Sequence, residues 1–146
     1  MVTLKWDRRF LDLAAHVAQW SKDPRTKVGA VVVDDRNRIV GMGFNGFPRG
    51  VCDDPDRYDD RDVKHRLVVH AELNAILNSP NPQLLRGSTL YVTHPPCGEC
   101  AKAIIQAGIA NLVVSKSSIL ESGAWAESVR MAGRLMGEAG IDQRIR

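Results

Sequence analysis

Apolar positions along the chain fall into two rhythms, one recurring every three or four residues and one in short unbroken runs. Leu4, Phe10, Leu11, Leu13, Ala14, Val17, Ala18 and Trp20 keep helical spacing with charges on the other side, which predicts an amphipathic helix over residues 4–20. Pro24 disfavours helical geometry at Asp23, so Ser21-Lys22-Asp23-Pro24 ends it. Val28 to Val33 is a β-branched run that reads as a strand covered on both faces. Asp34 to Asn37 is a turn, and Arg38 to Phe44 reads as a second strand, making a hairpin. Asn45 to Gly50 cannot continue that strand and reads as a loop. The stretch from Asp53 to Lys64 holds aspartates at 53, 54, 56, 59, 60 and 62 and reads as a flexible, solvated surface segment.

Leu67, Val68, Ala71, Ala75 and Leu77 then return to helical offsets, predicting a buried helix over Leu67 to Asn78 with a proline-marked end at Ser79-Pro80-Asn81-Pro82. Thr89 to Thr93 is a short strand. A helix opening at Cys97 or Gly98 runs to Ala107 and stops at Gly108. Leu112 to Ser115 is another strand, and Ala124 to Ala139 another helix ending before Gly140. Ile141 to Arg146 reads either as a short last strand or as a frayed tail. Helices alternating with apolar strands predict an α/β fold, a three-layer α/β/α sandwich around a mixed sheet of about five strands. No repeat or linker interrupts the pattern, so residues 1–146 read as a single domain.

Composition adds exclusions. At 146 residues, with 44% hydrophobic and 25% charged residues, the chain has enough apolar material for a full core and is not a disordered polymer. The net charge of +3 suits an anionic small ligand. No dense Lys/Arg stripe is present and aromatics make up only 5%, so a nucleic-acid surface is not expected. Charges at Lys5, Asp7, Arg8, Arg9 and Asp12 break any signal-peptide core, and no apolar stretch has membrane-spanning length. A cytoplasmic protein with no membrane partner is the expectation. In that compartment three cysteines, two of them as Cys97-x-x-Cys100, point to metal or redox chemistry before disulfides.

His70-Ala71-Glu72 and Pro95-Pro96-Cys97-Gly98-Glu99-Cys100 are where that chemistry concentrates. A catalytic zinc takes three protein ligands and leaves a fourth place for water, which His70, Cys97 and Cys100 can supply. Cys97 and Cys100 lie at a helix start, where the dipole and free N–H groups favour thiolates. Glu72 lies two residues from His70, roughly 200° around a helix. The two border one cleft only if the metal sits off the helix end, and Glu72 then becomes a proton shuttle beside zinc-activated water. Other readings stand beside this one. A Cys-x-x-Cys pair can be a thioredoxin-like redox couple, although this one falls late in the chain. A structural zinc would draw a fourth ligand from Cys52, His16, His65 or His94, and a lone His70 would be a core histidine.

His-x-Glu followed by Pro-Cys-x-x-Cys is the signature of zinc-dependent nucleobase deaminases. The sequence resembles the cytidine deaminase superfamily and, within it, the deoxycytidylate deaminases. Ser21 to Ala30, Gly43 to Gly50, His70 to Ile76 and Pro96 to Lys102, continuing through Ile104 to Ile109, carry the likeness, which covers roughly residues 10 to 115. The first two stretches distinguish members that act on nucleotides from relatives that act on free nucleosides or tRNA.

The resemblance implies that His70, Cys97 and Cys100 bind zinc and that Glu72 is the general acid/base. It implies hydrolytic deamination of dCMP to dUMP and ammonia, feeding thymidylate synthesis. The Ala71 N–H would hold the pyrimidine O2, and Asn45 the sugar 3′-hydroxyl. Ser21, Lys22, Arg25, Lys27 and Arg49 are candidates for the phosphate, with Arg25 and Lys27 preferred. Phe44 stands where relatives commonly have Tyr. Many members respond to dCTP and dTTP, which are therefore candidate effectors, and assemble as dimers to hexamers, for which the apolar Ile104-Ile105 helix is the expected packing surface. Some relatives carry a second, structural zinc, which is not expected here. Two alternatives accompany this reading. One is a deaminase of another cytosine nucleotide or nucleoside, dual for dCMP and dCTP or selective for 5-modified dCMP. The other is a non-catalytic zinc-binding module.

Overall fold

The fold, described over residues 3–116 and 123–146 by a computed structural model, is built on the expected hairpin. β1 (Gly29–Val33) and β2 (Ile39–Phe44) pair antiparallel, with Gly29 opposite Phe44. The turn between them puts Asn37 at φ 61°, a left-handed conformation that Asn tolerates better than most residues. β1 also pairs antiparallel with β3 (Thr89–Val92), and β3 runs parallel to β4 (Asn111–Val114). Asp142–Ile145 forms β5, parallel to β4, so the chain's last residues make an edge strand and not a frayed tail. The mixed five-stranded sheet has the order β2-β1-β3-β4-β5.

Alternation along the strands divides the core into two layers. Val31, Val33, Tyr91 and Val113 meet Phe10, Ala14 and Val17 of α1 (Leu4–Ala18) on one face. Ala30, Val32, Leu90, Val92, Leu112 and Val114 point the other way. There they meet α4 (Ala71–Leu77), α5 (Gly98–Gln106) and α6 (Ala124–Glu138). This is the three-layer sandwich that the pattern predicts. Ile104 is fully buried in the second layer and Ile105 packs against it. The α5 face that the sequence reading assigned to subunit contact is thus largely spent on the core.

Two local expectations need correction. The acidic segment is not a flexible coil but two short helices, α2 (Pro55–Asp59) and α3 (Arg61–Leu67). Asp54 and Asp60 are their N-caps, accepting from the N–H of Asp56 and from those of Asp62 and Val63, and Pro55 opens α2. The aspartates therefore serve as helix starts. The helix expected from Leu67 begins only at Ala71. Val68 and Val69 are extended, and Val69 exchanges backbone hydrogen bonds of 2.8 and 3.1 Å with Gly46.

Register gathers the loops. Because β1 is antiparallel to both its neighbours, the C-terminal ends of β2 and β3 lie beside the N-terminal end of β1. Asn45, Val28 and the Thr93-to-Cys97 segment therefore share one sheet edge. α4 is seated directly on β2, where a methyl group on Gly41 or Gly43 would strike the Ala75 backbone. This close approach fixes the start of α4 against the same edge. Among the described residues, no helix is long and apolar enough to cross a membrane.

Candidate metal centre and substrate cavity

His70 is the N-cap of α4 and Cys97 the N-cap of α5, both with extended backbone (ψ 156° and 174°). Cys100 lies one turn further into α5. The two helix starts converge, so His70 Nδ1 is 3.4 Å from the Sγ of Cys97 and 3.4 Å from that of Cys100. All three ligand atoms lie within 4.8 Å of one another. Bonds of about 2.3 Å to sulfur and about 2.0 Å to nitrogen at tetrahedral angles set ligand atoms roughly 3.5 Å apart. The donor set and its spacing fit a zinc ion.

Charge at the cluster fits a cation too. Without one, the hydrogen bond from the Cys100 thiol, helped by His70, draws Cys97 down to about 4. Cys100 is pushed up by Cys97, by burial and by Glu72, so the pair keeps a proton that a metal would displace. The hydrogen bond with Cys97 also raises His70, against its burial. Glu72, in the first turn of α4, is 4% exposed, and its Oε2 lies 3.7 Å from Cys100 Sγ. Burial pushes its carboxyl above the ordinary range.

A cavity of about 740 Å³ opens over this cluster, within the size range of small-molecule sites. His70, Ala71, Glu72 and Asn45 all line it. As the first residue of α4, Ala71 has an N–H with no intrahelical acceptor. Asn45 is buried, its Oδ1 accepting from Val28 N–H at 2.9 Å and its Nδ2 donating to the Thr26 carbonyl at 2.8 Å. The amide keeps a second N–H for a ligand.

Ser21, Arg25 and Lys27 are not brought to the cavity. Ser21 is buried and donates to the Asn45 carbonyl at 2.8 Å. Lys27 Nζ donates to the Ser21 carbonyl at 2.7 Å, and Arg25 pairs with Asp59 at 3.0 Å. Lys22 and Arg49 also lie away from it, on Asp53 and Asn78. Ser21 and Lys27 thus brace the loop that holds Asn45. Phe44 is partly exposed and meets Trp20 edge-on, with ring centroids 6.2 Å apart.

Other lining residues were not assigned to a substrate site from the sequence, where His65 and His94 figured only as ligands a structural zinc could draw on. Trp125, at the start of α6, meets the His70 ring edge-on at 5.8 Å, and Ser128 accepts from the Gly98 N–H at 3.1 Å. Arg61, Lys64 and His65 of α3 line the opposite part, with Lys64 2.6 Å from the buried Asp23. The signals for α3 were Asp60 as an N-cap and the change from acidic to basic residues after Asp62, whereas a lone Trp in an amphipathic helix gives none.

The family described as the cytidine and deoxycytidylate deaminase zinc-binding region matches residues 4–116. A protein of Aliivibrio fischeri named as an uncharacterized deaminase is 41% identical over 138 residues, covering 94% of this chain and 91% of that one. The deoxycytidylate deaminase of Homo sapiens is 47% identical over 115 residues, 75% of this chain and 64% of the human one. A crystal structure of the dCMP deaminase from cyanophage S-TIM5, in complex with dCMP and dUMP, superposes with a TM-score of 0.78 at 25% identity over 100% of both chains. With the family's region spanning most of its length and a His/Cys/Cys cluster able to hold a metal at its centre, the chain belongs to the cytidine and deoxycytidylate deaminase family.

Proposed function

We propose that the protein is a zinc-dependent dCMP deaminase that converts dCMP and water to dUMP and ammonia, supplying thymidylate synthesis. Its metal would be held by His70, Cys97 and Cys100. Zinc there supplies a Lewis acid and a water acidic enough to ionise near neutral pH. The observation that carries the reading is Glu72, a buried carboxyl lining the cavity directly beside the cluster. A purely structural metal site has no use for it.

Glu72 takes the proton from the attacking water and delivers it to N3 of the ring as oxygen adds at C4. It then takes the proton of the new C4 hydroxyl and passes it to the amino group, so that the C4–N bond breaks, ammonia leaves and the C4 carbonyl of dUMP forms. The free Ala71 N–H holds the pyrimidine O2, and the spare N–H of Asn45 meets the sugar hydroxyl. The Trp125 ring beside His70 gives the base an apolar wall and excludes bulk water. The cyanophage relative solved with dCMP and dUMP supports this choice of substrate.

In this reading the chain works as one catalytic domain in the cytosol, assembled as a homo-oligomer, with dCTP and dTTP as effectors. Ammonia release from dCMP, deoxycytidine, dCTP and 5-methyl-dCMP by the zinc-loaded protein tests the substrate. Fastest turnover of dCMP is expected. Faster turnover of dCTP or 5-methyl-dCMP would favour the wider cytosine-nucleotide reading, and no ammonia from any of them would leave a zinc-binding module.

A further inference from the structure

We infer that the face of α3 formed by Arg61 and His65, braced by Lys64, receives the substrate's 5′-phosphate. The inference rests on the deoxynucleotide reading above and names the residues that would make the site selective for a nucleotide.

Arg61, Lys64, His65 and Val68 stand at i, i+3, i+4 and i+7, one side of the helix and its exit, and all four line the cavity. Extended Val68 and Val69 then separate this wall from His70, and Val69 is backbone-paired with Gly46, next to Asn45. The order along the cavity edge is therefore a cationic wall, the asparagine expected to meet the sugar, and the metal cluster. A nucleoside monophosphate presents its phosphate, sugar and base in the same order.

Charge supports the placement. Among the described residues, the acidic ones lining the cavity are Asp23 and Glu72. Glu72 lies at the metal end. Asp23 is committed, accepting from the N–H groups of Arg25 and Thr26 at 2.9 and 3.1 Å and pairing with Lys64 at 2.6 Å. Lys64 is thus a positioning residue, tying α3 to the loop after Pro24. Arg61 and His65 make no ion pair with any described residue. Arg61 offers a planar fork that matches phosphate oxygens in pairs. By contrast, Lys22, Arg25, Lys27 and Arg49 have protein partners and do not line the cavity.

Both side chains are exposed, so replacing them leaves the core untouched. Calorimetric titration of the zinc-loaded protein with dUMP and with deoxyuridine measures the preference that the phosphate confers. Arg61→Gln is expected to lower that preference roughly 10- to 100-fold and His65→Gln roughly three- to tenfold, the scale of charge-assisted hydrogen bonds. Arg25→Gln should change it less than about twofold, as expected for an exposed pair. The inference is overturned if the unmutated protein shows no preference for dUMP. It is equally overturned if the Arg61→Gln/His65→Gln double variant keeps that preference, or if Arg25→Gln loses it instead. Ammonia release from dCMP separates the two readings. Activity with a preference that survives the double variant sinks only the α3 assignment. A preference lost in the double variant, with no ammonia from the unmutated protein, sinks only the deaminase reading.

Discussion

Glu72 lies buried beside the His/Cys/Cys cluster, and the same α4 start supplies His70 and the Ala71 N–H, which has no intrahelical acceptor. Three consecutive residues at a helix start are easily read from sequence, because their geometry is local. The Cys97-x-x-Cys100 pair is legible for the same reason, and the structure brings it to His70. Which cations would line the cavity was not legible. A long cation takes whichever partner the tertiary fold offers, and Arg25 takes Asp59, thirty-four residues away. Asp23 belongs to that hidden level as well. Burial opposes its charge, yet hydrogen bonds from Lys64 and from the N–H groups of Arg25 and Thr26 outweigh it and hold the carboxyl below its ordinary 3.8. A folded-state value below the unfolded one gives stability that is complete above the unfolded value and lost as pH falls through the folded one. Denaturant unfolding across pH 2 to 6 should therefore show wild type losing more stability below about pH 4 than Asp23→Asn loses. Parallel curves for the two proteins would remove Asp23 from the account.

At the scale of elements, periodicity recovered β1 to β4, α1, α5 and α6, because each carries its burial pattern within its own residues. It ran α4 four residues too far back, since Val68 continues the apolar rhythm while Val69 is held extended by Gly46. It missed α2 and α3 because an aspartate reads as solvated charge until its cap role is seen. The seating of α4 on β2 was equally hidden, as a glycine in a strand does not announce which backbone approaches it. Gly43→Ala tests that seating. The added methyl meets the backbone of both Ala71 and Ala75, so the helix must shift. Thermal unfolding should show a loss of about 1–3 kcal/mol. Zinc retention should also fall, because His70 caps the helix that moves. A variant with unchanged stability and zinc content would contradict the close packing.

The molecule as a whole is closed by contacts between its beginning and its end. Asp7 of α1 is fully buried, accepts from Tyr91 Oη at 3.0 Å and meets Arg146 at 3.2 Å and Arg144 at 3.6 Å. Burial and Asp7 together push the Tyr91 hydroxyl above its ordinary range, which keeps it a donor. The cluster fastens edge strand β5 to the helix on the opposite side of the core. Asp7→Ala leaves the buried Tyr91 hydroxyl without its acceptor and two arginines without their shared partner, and should cost about 3 kcal/mol, the low end for a broken buried pair because both arginines retain solvent access. Equilibrium unfolding measures it, and a loss below about 1 kcal/mol, the scale of a surface pair, would assign the closure to packing alone. The sandwich class was legible from alternation. The strand order and the fate of the last six residues were not, because pairing between strands that lie far apart in sequence, such as Ala30 with Val92 or Asn111 with Asp142, leaves no local trace. That assembly sets two helix starts over one sheet edge and a buried carboxyl beside a His/Cys/Cys cluster able to hold a metal. The most direct test of what it does is ammonia release from dCMP by wild type and Glu72→Gln, with zinc content measured on the same samples. The account predicts equal zinc in both and a loss of roughly 100- to 10,000-fold in turnover for the variant. Equal turnover in the two proteins, or zinc-replete wild type that releases no ammonia, would contradict it.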